Sequence, residues 1–281
     1  MSSSLRPPLF AAAPGRARCG AVFFDVDDTL TWHGRLVESA VTALYAAKRA
    51  GFTLCAVTGR SFAWGELLVR LFPLDAVVVE TGAAALVWRG TALTELWHER
   101  DAEVRQALSA RRAAATARAL ATVPTARLAK DNVGRVCDTA FDLVEEGAPV
   151  DAADAAAIRG VLVEEGLVVA QSSVHINAFA FGPAGPFDKA SMVARVLARL
   201  GDRDVDAVAF DDDAFATLCY VGDSQNDGPM FARARLSVGV NNVRPHLDAL
   251  HARGQAPRYV VDGDGGHGFA EVVAALIAAR G

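Results

Sequence analysis

Apolar runs, each stopped by a polar or turn-forming residue, recur through the first third of the chain: CGAVFFD at 19–25, FTLCAVT at 52–58 and DAVVVE at 75–80. Near-continuous apolar runs of this length predict strands covered on both faces, as in a parallel sheet. Between them, helix-spaced apolar positions predict helices over 36–50, closed by Gly51, and over 61–72, closed by Pro73. The same alternation returns late in the chain. Strands are predicted in ATLCYVGD, RLSVGV and PRYVVD, and helices over 226–234, 244–253 and 267–280. One α/β sheet is therefore expected to be built from both ends of the chain.

The middle has another rhythm. AAALVWRGTALTELWH at 83–98 predicts a hairpin turning near Arg89 and Gly90, and an Ala/Arg-rich helix follows over 100–121. RLAKDNVGRV and CDTAFDLVEE predict strands, 151–165 a helix, and GLVVAQSS and VHINAFAF two more strands. Hairpins mixed with helices suggest an antiparallel α+β unit inserted into the α/β domain. The expected division is a flexible tail over 1–17, a main domain over 18–82 and 187–281, and an inserted domain over 83–186.

Composition narrows this picture. The chain has 281 residues, 52% hydrophobic and 22% charged, which suits a globular protein with about two domains. A net charge of −5 gives no electrostatic footprint for nucleic acid. No apolar run approaches the length needed to span a membrane, so neither nucleic acid nor membrane is an expected partner. Cys19, Cys55, Cys137 and Cys219 are far apart and form no metal-binding spacing, which suggests buried thiols in a reducing compartment, the cytoplasm. The first twenty residues, rich in Ser, Arg, Pro and Ala without an acid, resemble an organelle transit peptide in composition; a frayed tail is the plainer reading.

The candidate chemistry sits where the apolar runs end. In open α/β sheets, ligand sites form at the carboxyl ends of parallel strands, and three of these runs end at Asp25, Thr58 and Asp223. Asp25 and Asp27 lie two residues apart and share a side of an extended chain. Asp223 and Asp227 bracket a loop that leads into a helix. Four acids on one rim call for a cation, and a hard, oxygen-seeking ion such as Mg²⁺ fits them. Taken alone, an aspartate after a strand is also a common turn or helix-capping residue. Asp28 is read that way.

With these motifs in place, the chain resembles the haloacid dehalogenase superfamily of phosphohydrolases. DVDDTL carries Asp25 and Asp27, LCAVTGR carries Thr58, PFDKASM carries Lys189, and VGDSQND carries Asp223 and Asp227, in the family's order. The resemblance implies a Rossmann-like core with Asp25 as nucleophile, forming an aspartyl-phosphate, and Asp27 as general acid and base. It implies Mg²⁺ on Asp25, the Asp27 backbone carbonyl, Asp223 and Asp227. Thr58, the Gly59 amide and Lys189 would hold the phosphoryl group, with Asn226 and Arg60 near it. About 130 residues separate Thr58 from Lys189. Only LTWHGR follows the first motif before its helix, so the insertion resembles the type-2 cap of subclass IIB, which includes sucrose-phosphatase-like enzymes.

The cap strands then point to a substrate surface. Ser173, His175 and Asn177 share one face of a strand, and Asp138 and Asp142 share a face of another. Such a polar face either binds a hydroxylated leaving group above the metal or faces water. The function expected is a Mg²⁺-dependent phosphomonoesterase acting on a small phosphate ester, a sugar phosphate foremost. A phosphomutase using the same chemistry and a catalytically silent phosphate-binding protein stay open beside it. The sequence leaves the oligomeric state and the role of FDDDAF at 210–215 unassigned. The remaining histidines, His33, His98, His246, His251 and His267, have no metal spacing, and the Gly-rich DGDGGHGF is read as a loop before the last helix.

Overall fold

The computed structural model describes residues 7–145, 147–171, 174–203, 205 and 215–281. Ser173 and most of the acidic stretch at 210–215 lie outside them.

The strands are β1 (Ala21–Phe24), β2 (Thr31–Trp32), β3 (Arg35–Leu36), β4 (Thr53–Val57), β5 (Ala76–Val79), β6 (Ala84–Arg89), β7 (Ala92–Trp97), β8 (Asp138–Asp142), β9 (Val168–Gln171), β10 (His175–Phe179), β11 (Leu218–Gly222), β12 (Leu236–Gly239) and β13 (Tyr259–Val260). The helices are α1 (Glu38–Arg49), α2 (Phe62–Leu71), α3 (Ala102–Thr122), α4 (Ala152–Glu164), α5 (Lys189–Leu200), α6 (Gly228–Arg233), α7 (Leu247–Ala252) and α8 (Gly265–Ala278).

An eight-stranded sheet runs in the order β13-β12-β11-β1-β4-β5-β6-β7. Strands β13 to β5 are parallel, with β1 at the centre between β11 and β4, and β6 and β7 add antiparallel to one edge. Every residue of β1, β5 and β11 is buried, as apolar runs on a sheet covered on both faces require. One face packs against α1, α2 and α8 around Leu44, Leu68 and Phe269. The other packs against α5, α6 and α7 around Val193, Phe231 and Leu250. This is the α/β fold that the sequence predicts.

A second sheet, ordered β8-β10-β9, is antiparallel and is backed by α3 and α4 through Ala119, Phe141, Ile158 and Ile176. Burial of one apolar face leaves His175 opposite Asp142 on the other.

Three expectations need correction. The hairpin at 83–98, expected in the inserted unit, instead extends the large sheet, because β6 pairs with β5 and buries Ala84, Leu86 and Val87 in the main core. The inserted unit therefore begins after it. The stretch 127–136, expected as a strand, forms a single bridge at Leu128 and then a 3-10 turn over Lys130–Gly134. There the Asn132 side chain donates to the Ala129 and Ala140 carbonyls and accepts from the Ala140 amide, in place of a ladder. The tail is held within its described part: Leu9 bridges Val260, and Phe10 is fully buried against Tyr259.

Among the described residues, no helix is long and apolar enough to cross a membrane. All four cysteines are free; Cys19, Cys55 and Cys219 are buried and Cys137 is partly buried.

Candidate active site

The parallel strands deliver three polar residues to one rim. Asp25 follows β1 and is tied to β11 by its amide, which donates to the Val221 carbonyl at 2.9 Å. Thr58 follows β4 and is fully buried; its hydroxyl oxygen accepts the Arg60 amide at 3.0 Å. Asp223 follows β11, where it accepts from the Thr29 hydroxyl at 3.0 Å and from the Asn242 amide group at 3.4 Å.

Lys189 comes to the same place from the first turn of α5. Its helix starts with a reciprocal cap: the Asp188 side chain accepts from the Ser191 amide, and the Asp188 amide donates to the Ser191 hydroxyl. This fixes the direction of the Lys189 side chain. Its ammonium meets Asp227 at 2.7 Å, Asp25 at 3.0 Å and the Asn226 side-chain oxygen at 3.0 Å, and the residue is only 1% exposed. Burial works against its charge, yet Asp227 and Asp25 more than offset burial and raise its pKa. The lysine is held charged.

The acids are less well compensated. Burial pushes the Asp25 carboxyl up to about 7; Asp227 and Asp27 add to the rise, and Lys189 opposes it. Burial also raises Asp223 well above the carboxylate range, reinforced by Asp227 and Asp25. One carboxylate oxygen from each of Asp25, Asp223 and Asp227 lies within 4.8 Å of the other two, and Lys189 pairs with Asp25 and Asp227. An all-oxygen set with excess negative charge fits a hard divalent cation.

Asp227 is engaged on both oxygens. One accepts from Lys189 and from the Tyr220 hydroxyl at 2.6 Å, the other from the amides of Asp223 and Ser224 at 3.0 and 3.1 Å. Asp27, by contrast, stands half-exposed, and the Arg60 guanidinium holds its carboxylate through two bonds of 2.8 and 2.7 Å. The Gly59 amide has no acceptor among the described residues. Asp28 serves the turn, with a φ of 52° and its carboxylate accepting the His33 amide.

The cap comes down on this rim through residues that had no motif. Glu145 lies 3.8 Å from Arg60 and 2.9 Å from the His175 ring. Arg135 donates to the Gly59 carbonyl at 3.0 Å while pairing with Asp131 and Asp138. Glu80, fully buried at the end of β5, accepts the amides of Phe62, Val136, Cys137 and Asp138 and so clasps the cap to the sheet. Of the residues expected to face a substrate, Asp138 bonds Arg135 and the Asn177 amide group, and Asp142 bonds Arg127 and the amides of Val144 and Glu145. Both are buried inside the cap's own network, and His175 is the one that reaches toward Arg60, through Glu145. Lone charged residues such as Glu80, Arg135 and Glu145 carry no spacing that a sequence could signal.

No protein-family model and no curated protein sequence matches the chain. Solved structures do. A haloacid dehalogenase-like hydrolase from Bacteroides thetaiotaomicron is similar at a TM-score of 0.64 and 14% identity, covering 91% of this chain and 98% of the other. The sucrose-phosphatase from Synechocystis, solved with sucrose and phosphate, is similar at 0.56 and 16%, covering 92% and 98%. A haloacid dehalogenase subclass IIB sugar phosphatase is similar at 0.55 and 16%, covering 91% and 98%. Together with the sheet order and the inserted antiparallel unit, these matches show that the chain has the fold of the haloacid dehalogenase-like hydrolases.

Proposed function

We propose that the protein is a Mg²⁺-dependent phosphomonoesterase that hydrolyses a small, polyhydroxylated phosphate ester, with a sugar phosphate as the leading class. The observation that carries this is Asp25 at the end of the central strand, 3.0 Å from a buried, charged Lys189, with Asp223 and Asp227 beside it.

In this reading Asp25 attacks phosphorus, and the leaving alcohol takes its proton from Asp27, giving an aspartyl-phosphate. Asp27, now a carboxylate, accepts a proton from the water that attacks the intermediate, and Asp25 is freed. The Thr58 hydroxyl, the Gly59 amide and Lys189 hold the phosphoryl oxygens as charge shifts among them. Asn226 orients Lys189, to which its side-chain oxygen is bonded. Asp25, the Asp27 carbonyl and Asp223 would hold Mg²⁺, which when bound supplies neutralisation of charge between nucleophile and phosphate. The engagement of Asp227 by four protein donors supports a role in fixing Lys189 and the loop, beside the ion.

The closing cap supplies the specificity. Glu145, backed by His175, faces Arg60, which holds Asp27, while Asp138 and Asp142 are buried and brace the cap strands behind them. The test is phosphate release from a panel of sugar phosphates with and without Mg²⁺. Turnover that needs Mg²⁺ and disappears in Asp25→Asn is the expected result; a wild-type protein silent on the whole panel would overturn the proposal.

A further inference from the structure

Two carboxylates meet one guanidinium where the cap faces the site. Arg60 donates to Asp27 through Nε at 2.8 Å and through Nη2 at 2.7 Å. The same Nη2 stands 3.8 Å from Oε1 of Glu145, beyond hydrogen-bond reach. Glu145 is held in that attitude from behind: its Oε2 is 2.9 Å from the His175 ring, and its amide donates to Asp142 at 2.7 Å. Its Oε1 has no hydrogen-bond donor among the described residues, and its side chain is 35% exposed.

The neighbouring arginines of the cap are taken. Arg135 pairs with Asp131 and Asp138, and Arg127 pairs with Asp142. With Arg60 this sets three guanidiniums against five carboxylates: Asp27, Asp131, Asp138, Asp142 and Glu145. Lys189 is bonded to Asp25, Asp227 and Asn226. The negative charge left over is at Glu145, the acid that shares its guanidinium without a bond to it. When Asp27 gives its proton to the leaving alcohol, the carbon skeleton of that alcohol starts at Asp27; this placing rests on the phosphatase reading. Asp27 and Glu145 face one guanidinium nitrogen, so Glu145 stands within the span of a single sugar ring from Asp27.

We propose that Glu145 determines which alcohols the site accepts: its open oxygen takes a hydrogen-bond donor on the leaving group, an ammonium ahead of a hydroxyl, and repels a second anion. The substrate class that fits is the phosphate ester of an amino sugar or amino alcohol. A bond from an ammonium to a carboxylate is roughly twice as strong as one between neutral groups. A carboxylate or second phosphate in the same place meets two acids and a guanidinium already facing both, an unpaired charge that selects against such esters.

The experiment compares three esters with the same carbon count: glucosamine 6-phosphate, glucose 6-phosphate and 6-phosphogluconate. Calorimetry gives their dissociation constants for the full chain carrying Asp25→Asn, with Mg²⁺ present, and steady-state kinetics gives kcat and KM for the wild type. Binding should weaken in that order by about tenfold at each step, and KM should follow it. Adding Glu145→Gln, which removes the charge and keeps the shape, should shrink the spread between the first and last esters by about tenfold or more. The order in the parent protein decides the matter even where Glu145→Gln does not fold. Equal binding of the three, tightest binding of 6-phosphogluconate, or an undiminished spread in a folded Glu145→Gln would each overturn the proposal. Ordered binding that Glu145→Gln abolishes supports it even where no ester is turned over, an outcome that counts against the phosphatase reading alone.

Discussion

The Arg60 guanidinium grips the Asp27 carboxylate with two bonds, 2.8 and 2.7 Å long, and at the same time faces Glu145 of the cap at 3.8 Å. Arg60 stacks its far side on Trp64, 5.2 Å from the ring centre, so its own position is set from α2. A fork that orients Asp27 is expected to matter when the leaving group needs a proton. Arg60→Ala should lower kcat by about 10- to 100-fold on an alkyl phosphate, within the usual range for general-acid contributions. The loss on p-nitrophenyl phosphate, whose leaving group departs without protonation, should be much smaller. Arg60→Lys should recover only part of the activity, because an ammonium cannot replace the paired bonds. Steady-state kinetics on the two substrates check this; equal losses on both would remove Asp27 from the explanation.

Glu80 makes a second link between sheet and cap, and its energetics depend on pH. Burial pushes its carboxyl up to about 7, helped by Asp138 and opposed by the amides of Val136, Cys137 and Phe62. A carboxyl raised in the fold above its unfolded value near 4.5 holds its proton in the native state while the unfolded chain has lost it. That contribution to stability is complete below pH 4.5 and is lost progressively as pH rises through about 7, amounting to about 3 kcal/mol. Glu80→Gln should flatten this part of the stability profile. It should also cost about 2–4 kcal/mol at pH 7.5, where the wild-type group is ionised, since one amide oxygen cannot serve four backbone donors. Urea denaturation of both proteins between pH 5 and 7.5 measures both effects, and parallel profiles would show that Glu80 does not titrate in this window.

The rim of the site was legible because each contributing strand is an apolar run stopped by one polar residue: Asp25 after AVFF, Thr58 after TLCAV and Asp223 after LCYVG. Local pattern sufficed there, since a strand buried on both faces has no other place for an acid than its end. The hairpin at 84–97 was misplaced for the opposite reason. Its alternation describes a half-buried strand equally well on the edge of the large sheet or in the cap, and only pairing with β5 decides. Glu80 was illegible too. Its φ of 46° and its bonds to amides more than fifty residues away arise from tertiary structure. Glu145 sits among the charged residues of an acidic stretch, with nothing local to single it out.

Gly82 ties the Glu80 turn to the lysine of the site. Its φ is 107°, and a Cβ placed there would stand 2.1 Å from the Asp188 carbonyl oxygen, next to Lys189. A contact that close with backbone has to be relieved by movement at the start of α5. Gly82→Ala is therefore expected to destabilise the fold by about 2–4 kcal/mol, from positive-φ strain and overpacking together. It should also cut kcat well beyond its effect on KM, because a displacement of about 1 Å at Lys189 misaligns the charge on the phosphoryl group. Thermal denaturation and kinetics on the same preparation test it, and a stable variant with full kcat would mean that the turn and α5 are not coupled.

Asp223 and Asp227 look alike in the sequence, and the structure separates them. Among the described residues Asp223 accepts only from Thr29 and, at 3.4 Å, from Asn242, and burial raises its pKa well above the carboxylate range, so an added cation meets an under-compensated oxygen pair. Asp227 accepts from Lys189, Tyr220 and two backbone amides, so its loss removes a scaffold. Asp223→Asn should raise the Mg²⁺ concentration for half-maximal activity by about tenfold or more while changing metal-free stability little, since it removes a buried charge. Asp227→Asn should act the other way, costing about 3–5 kcal/mol of metal-free stability by leaving buried Lys189 short of a partner. Paired Mg²⁺ titrations and denaturant melts of the two variants give the answer. If Asp227→Asn proves stable and changes only the Mg²⁺ requirement, its carboxylate is a direct ligand, and its bonds to Lys189 and Tyr220 give way when the ion binds.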